Sequence, residues 1–170
     1  LVGSEMCIRD SRNIMPELMA PHSWDSSSRA LIFDPEYYDP AIKEWVRGSD
    51  GRKSSAPSTQ QAYKAFSGIL RASQDKQTGY VTVTIEHQSP ILAAQWVGWL
   101  IEDVNARVKA QDVAEAERSI EFLKQQIANT SLADLQAMFF ELIQSQTETV
   151  MLAEVRPEYV FKTIDPAIVP

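Results

Sequence analysis

Hydrophobic residues follow two different periods along this chain, and the change of period marks its organisation. Tyr80-Val81-Thr82-Val83-Thr84-Ile85-Glu86 alternates β-branched residues, the strongest strand signal present. The alternation places Val81, Val83 and Ile85 on one face, and residues 70–73 are suited to pair with it as the other arm of a hairpin across the Asp75-Lys-Gln-Thr-Gly79 turn. The period then becomes helical. Ser89-Pro90 is an N-cap followed by proline at the first helical position. Nothing beyond it except Gly98 interrupts a helix for about 39 residues, ~58 Å at ~1.5 Å per residue. Val97, Leu100, Val104 and Val108 make one stripe, and Ala116, Ile120, Leu123 and Ile127 another. Asn129-Thr130-Ser131 reads as a turn with Ser131 as the next cap, and Leu132, Leu135, Phe139, Leu142 or Ile143, and Val150 continue the spacing to about Ala153.

Shorter elements flank this core. Residues 13–19 read as the tail of a helix, and 30–33 as a strand after a run of turn formers. Residues 35–47 carry Tyr38, Ile42, Trp45 and Val46 at three- and four-residue spacings and predict a helix. A polar loop at 48–57 leads to Ser58, which opens a helix with a capping-box pattern to Gln61 and buries Tyr63, Phe66, Ile69 and Leu70 on one side. A last strand is expected at 159–164, stopped by Asp165-Pro166. The fold class expected is α+β: a small mixed α/β base of few strands (13–88 and 156–170) with a long protruding antiparallel helical hairpin (89–154). Residues 1–12 (LVGSEMCIRDSR) read as translated sequencing-adapter sequence and are set aside, and Cys7 goes with them.

Composition narrows the function classes. Sixteen Lys and Arg against 23 Asp and Glu give a net charge of −7. This disfavours a nucleic-acid binder or an anchor on anionic lipid. One cysteine excludes a disulfide framework or multi-cysteine zinc site. The longest stretch free of Asp, Glu, Lys and Arg, 87–101, is too short for a membrane-spanning helix.

Local signatures of chemistry are weak. The loop from Gly48 to Ser54 has Arg52 where a phosphate-binding loop needs glycine before its lysine. His22, Asp25, Asp34 and Asp39 match no compact metal site, and Asp-Pro and Asp-Ser steps are ordinary turn formers. His87, at the strand-to-helix corner, is expected to be a structural histidine. Trp96 and Trp99 form a wide apolar foot on the long helix. Packing on the sheet is its default role and contact with a neighbouring subunit the second. The residues alone therefore imply a non-enzymatic α/β module with a long helical arm, with no cofactor, catalytic residue or metal assigned.

The C-terminal run MLAEVRPEYVFKTIDPAIVP (151–170) resembles the polysaccharide co-polymerases, the chain-length determinant proteins of lipopolysaccharide O-antigen synthesis. Its EYVFKTIDPA core is similar to the segment that leads into that family's second membrane helix. The resemblance extends through 137–143, 114–126, 83–96, the DKQTG turn and Met15-Pro-Glu-Leu-Met19, most of residues 13–170. It implies a bacterial inner-membrane protein whose periplasmic segment this is. Such a protein forms a ring-like homo-oligomer that sets how many repeats the O-antigen polymerase adds to a lipid-linked polysaccharide. It implies no catalytic residue and no cofactor. Asp165, Pro166 and Pro170 match the start of the family's proline-rich linker to the membrane helix. The alternative from another class is a soluble coiled-coil adaptor that binds a protein through 90–153. A hydrolase using Asp25, Asp34 or Asp39 ranks third.

Overall fold

The computed structural model describes residue 12, residues 14–46 and residues 56–169. In chain order the elements are α1 (Met15–Met19), β1 (Pro21–Asp25), β2 (Ala30–Phe33), β3 (Tyr38–Asp39), β4 (Glu44–Trp45), α2 (Thr59–Ile69), β5 (Leu70–Gln74), β6 (Val81–Ile85), α3 (Pro90–Asn129) and α4 (Ala133–Val155). The class is α+β, with small antiparallel sheets and one long helix. The strands form three separate two-stranded ladders, β1–β2, β3–β4 and β5–β6. The chain divides into two compact units, one ending at Leu100 and rejoined by residues from Asp165, the other Ile101–Ile164; α3 contributes to both.

In the first unit, turn chemistry decides the local structure. Asp25 Oδ1 accepts from the Ser27 amide at 2.9 Å and its Oδ2 from the Ser28 hydroxyl at 2.7 Å, closing β1 onto β2. The expected strand at 30–33 thus has a partner, Pro21–Asp25, among residues that look like turn formers in sequence. The helix expected at 35–47 is a hairpin instead, with Arg47 outside the described residues. Asp34 and Asp39 each accept a backbone amide two residues on, from Glu36 and Ala41, both at 2.9 Å. Pro40 removes a helical donor directly after Asp39, and Lys43 turns at φ 54°. The apparent helical spacing is a cross-strand one. Tyr38 faces Trp45 in β3–β4 with ring centroids 5.3 Å apart, and Phe33 lies 5.2 Å from Tyr38.

The capping box of α2 forms as the sequence predicts. The Ser58 hydroxyl accepts from the Gln61 amide, and the Gln61 side chain accepts from the Ser58 amide at 2.8 Å. The inward face of α2 is Ala62 and Phe66, with Tyr63, Ile69 and Leu70 half-buried. β5 and β6 pair as the expected hairpin, with Leu70 opposite Ile85 and Gln74 opposite Val81. Their turn closes on Gly79 at φ 75°, a left-handed conformation that glycine adopts without a Cβ penalty. Ile85 is buried, whereas Val81 at the turn end is exposed. Among the described residues the core of this unit is Ile14, Leu18, Ala20, Tyr38, Ala62, Phe66, Ile85, Trp96 and Leu100.

The second unit holds the rest of α3, all of α4 and the segment after it. Leu132, not Ser131, is the N-cap of α4 and gives no side-chain cap; the Gln136 side chain instead donates to the Thr130 carbonyl at 2.9 Å. Ala116, Leu123 and Ala153 are buried, and Lys109 Nζ pairs with Glu154 Oε2 at 3.7 Å. The strand expected at 159–164 is absent; these residues run as an irregular strap. Side chains satisfy its backbone donors. Asn105 Oδ1 accepts from the amides of Val160 and Phe161, both at 2.8 Å, and Glu158 Oε1 from that of Thr163 at 3.1 Å.

Candidate functional site

Among the described residues two places concentrate features beyond ordinary packing. The first is the corner that starts α3. Ser89 is completely buried, and its hydroxyl accepts from the Leu92 amide at 3.3 Å, capping the helix. The Ser89 amide in turn donates to His87 Nδ1 at 3.1 Å. With Nδ1 accepting, the ring proton sits on Nε2, which donates to the Glu17 carbonyl at 2.9 Å. His87 also lies against Trp96, centroids 4.7 Å apart. The histidine therefore ties β6, α1 and the start of α3 together, which is the structural role its place in the sequence suggests.

Burial pushes the Glu17 carboxyl above the ordinary carboxylate range, opposed by its own backbone amide and by the nearby His87. Its Oε2 is buried with no hydrogen-bond partner among the described residues. A raised value means that the folded chain holds this proton more tightly than the unfolded chain. Its contribution to stability is therefore greatest at low pH and falls as the pH climbs through the folded pKa. Glu17→Gln should remove this dependence. Urea midpoints measured from about pH 4 to about pH 7 should decline less with rising pH in the variant than in the parent. Parallel profiles would contradict the assignment.

The second place is the surface of the second unit. Phe122, Leu132, Leu135, Met138, Phe140, Leu142, Met151, Leu152 and Val155 are all exposed. An open groove of about 450 Å³ lies among them, lined by Glu115, Arg118, Phe122, Leu123, Leu142 and Gln146.

Trp96 is 0% exposed and packs against Phe66 at 6.1 Å, so it is core and offers no surface to a neighbouring subunit. Trp99 is half-buried beneath the Arg12 guanidinium, 4.6 Å from its ring centre. Arg12 is the last residue of the segment set aside as adapter sequence. Asp165 and Pro166 are exposed and irregular, and Pro170 lies outside the described residues. Asp25, Asp34 and Asp39 each close a turn, and the Ser28 and Ser27 hydrogen bonds hold the Asp25 carboxyl below its ordinary range. Among the described residues no three His, Cys, Asp or Glu side chains gather as a metal would need. The Gly48–Ser54 loop lies outside the described residues, as does Cys7.

Sequence reasoning missed Asn105. A single polar residue between Val104 and Ala106 in a long helix carries no motif, and only the fold shows that its amide meets the backbone of 160–161. No family model matches this chain, and comparison with curated proteins gives no match. Among the described residues no helix is long and apolar enough to cross a membrane.

Proposed function

We propose that this chain is the periplasmic part of a bacterial inner-membrane regulator of O-antigen chain length. It acts without catalysis, as a homo-oligomeric scaffold for the polymerase and its lipid-linked polysaccharide. The observation that carries the reading is the C-terminal EYVFKTIDPA sequence, placed directly after a helix of 40 residues and one of 23. In this reading α3 and α4 pack as an antiparallel hairpin. The Lys109–Glu154 pair supports that arrangement, and so does the groove, whose lining runs from 115 to 123 on α3 and from 142 to 146 on α4. The exposed apolar residues of both helices supply a surface suited to assembly, with Trp99 as a further contact. Asp165, Pro166 and Pro170 start a linker to a membrane helix.

The test is genetic. The complete gene that encodes this chain, expressed in a bacterium stripped of its own O-antigen length control, should restore a preferred length to the lipopolysaccharide ladder on a gel. An unchanged ladder would end the proposal. The same exposed helical surface would then favour an adaptor that binds a protein partner.

A further inference from the structure

We propose that residues 156–164 form a releasable strap, latched onto α3 by Asn105. This inference is independent of the length-control reading. α4 ends at Val155, and Pro157 follows its C-cap, Arg156. Beyond that point Asn105 and Asp112 of α3 hydrogen-bond the strap. Asn105 Nδ2 donates to the Phe161 carbonyl at 2.9 Å while its Oδ1 accepts the two amides of Val160 and Phe161. One turn-pair further along the same helix face, Asp112 Oδ2 accepts from the Tyr159 hydroxyl at 3.0 Å.

Asn105 is only 7% exposed, so its amide is satisfied by the strap and costs free energy when the strap leaves. Apolar burial on the other side of the contact is partial. Tyr159 is half-buried, and Val160, Phe161 and Ile164 remain 45%, 39% and 70% exposed. A segment held by a few hydrogen bonds and side chains that are only partly covered opens locally, below the free energy of global unfolding. Its composition, Tyr-Val-Phe-Lys-Thr-Ile, is that of a strand. Asn105 occupies the peptide groups that a neighbouring strand would pair with. Docked on the helix, the segment is an irregular strap. Released, it is an extended segment ready to add to an open strand edge.

Hydrogen exchange on the full chain tests this. In Asn105→Ala the amides of Val160 and Phe161 should exchange about tenfold faster or more, and trypsin should newly cut after Lys162. The amides of Ala116 and Leu123 should keep their protection. Tyr159→Phe, which removes only the outlying hydrogen bond, should produce a smaller acceleration at the same two amides with the helices unaffected. If protection falls equally across α3 and α4, the strap is an integral part of the fold and the proposal fails. If Val160 and Phe161 do not respond in either variant, Asn105 is not the latch and the proposal also fails.

Discussion

Replacing Trp96 with alanine should lower the free energy of unfolding by about 3–5 kcal/mol. The indole is wholly buried, 4.7 Å from the ring of His87 and 6.1 Å from that of Phe66. Truncation leaves a cavity that these two neighbours cannot fill without moving. His87 moves at a cost, because both its nitrogens are engaged, one with the Ser89 amide that precedes α3 and one with the Glu17 carbonyl. Trp96→Phe should cost much less. It keeps most of the aromatic area and removes an indole N–H that is buried with no hydrogen-bond partner among the described residues. Trp99→Ala is the internal control, since Trp99 is half-buried and held by Arg12 over its ring, a contact worth about 0.5–1 kcal/mol at an exposed site. Urea unfolding followed by far-ultraviolet circular dichroism ranks the three. If Trp96→Ala is no worse than Trp99→Ala, Trp96 is not the centre of this core.

The contrast between these two tryptophans shows where sequence reasoning works and where it stops. Spacing along α3 places both on the apolar foot of the helix, but it does not say which one is enclosed. That depends on Phe66 and His87 arriving from elsewhere in the chain. Elements whose signal is local are legible. The Ser58–Gln61 box, the β5–β6 hairpin with Gly79 at its turn, and the long run from Pro90 all depend on neighbours in sequence. The failures share a different cause. At 35–47 an apolar spacing that suits a helix is overridden by two aspartate turns and Pro40, so Tyr38 and Trp45 meet across a ladder. At 159–164 the composition is that of a strand, yet Asn105, more than fifty residues earlier, supplies the hydrogen bonds. In both cases a polar side chain satisfies backbone amides that secondary structure would otherwise claim.

Ala153→Asp should destabilise the second unit by about 3–5 kcal/mol, the cost of an uncompensated buried charge. The neighbouring Leu152→Asp should change stability by less than about 0.5 kcal/mol. Side-chain size alone suggests the reverse, since leucine normally seeks the interior and alanine is tolerated outside. Here Ala153 has no exposed surface, whereas Leu152 is 50% exposed. An aspartate at 153 must either carry a charge without water or take up a proton, so the loss in Ala153→Asp should shrink as the pH is lowered. Urea unfolding at two pH values checks this, and equal stability of the two variants would contradict the burial pattern of α4. The same pair separates folding from assembly. Leu152 sits among the exposed residues that include Met151 and Val155, so an aspartate there places charge in the surface proposed to join copies of the chain. Light scattering should show weaker self-association for Leu152→Asp at undiminished helix content. Ala153→Asp should lose association only together with its helices. If Leu152→Asp associates as strongly as the parent, this end of α4 is not the joining surface, and the contact between copies must be sought elsewhere on the apolar face.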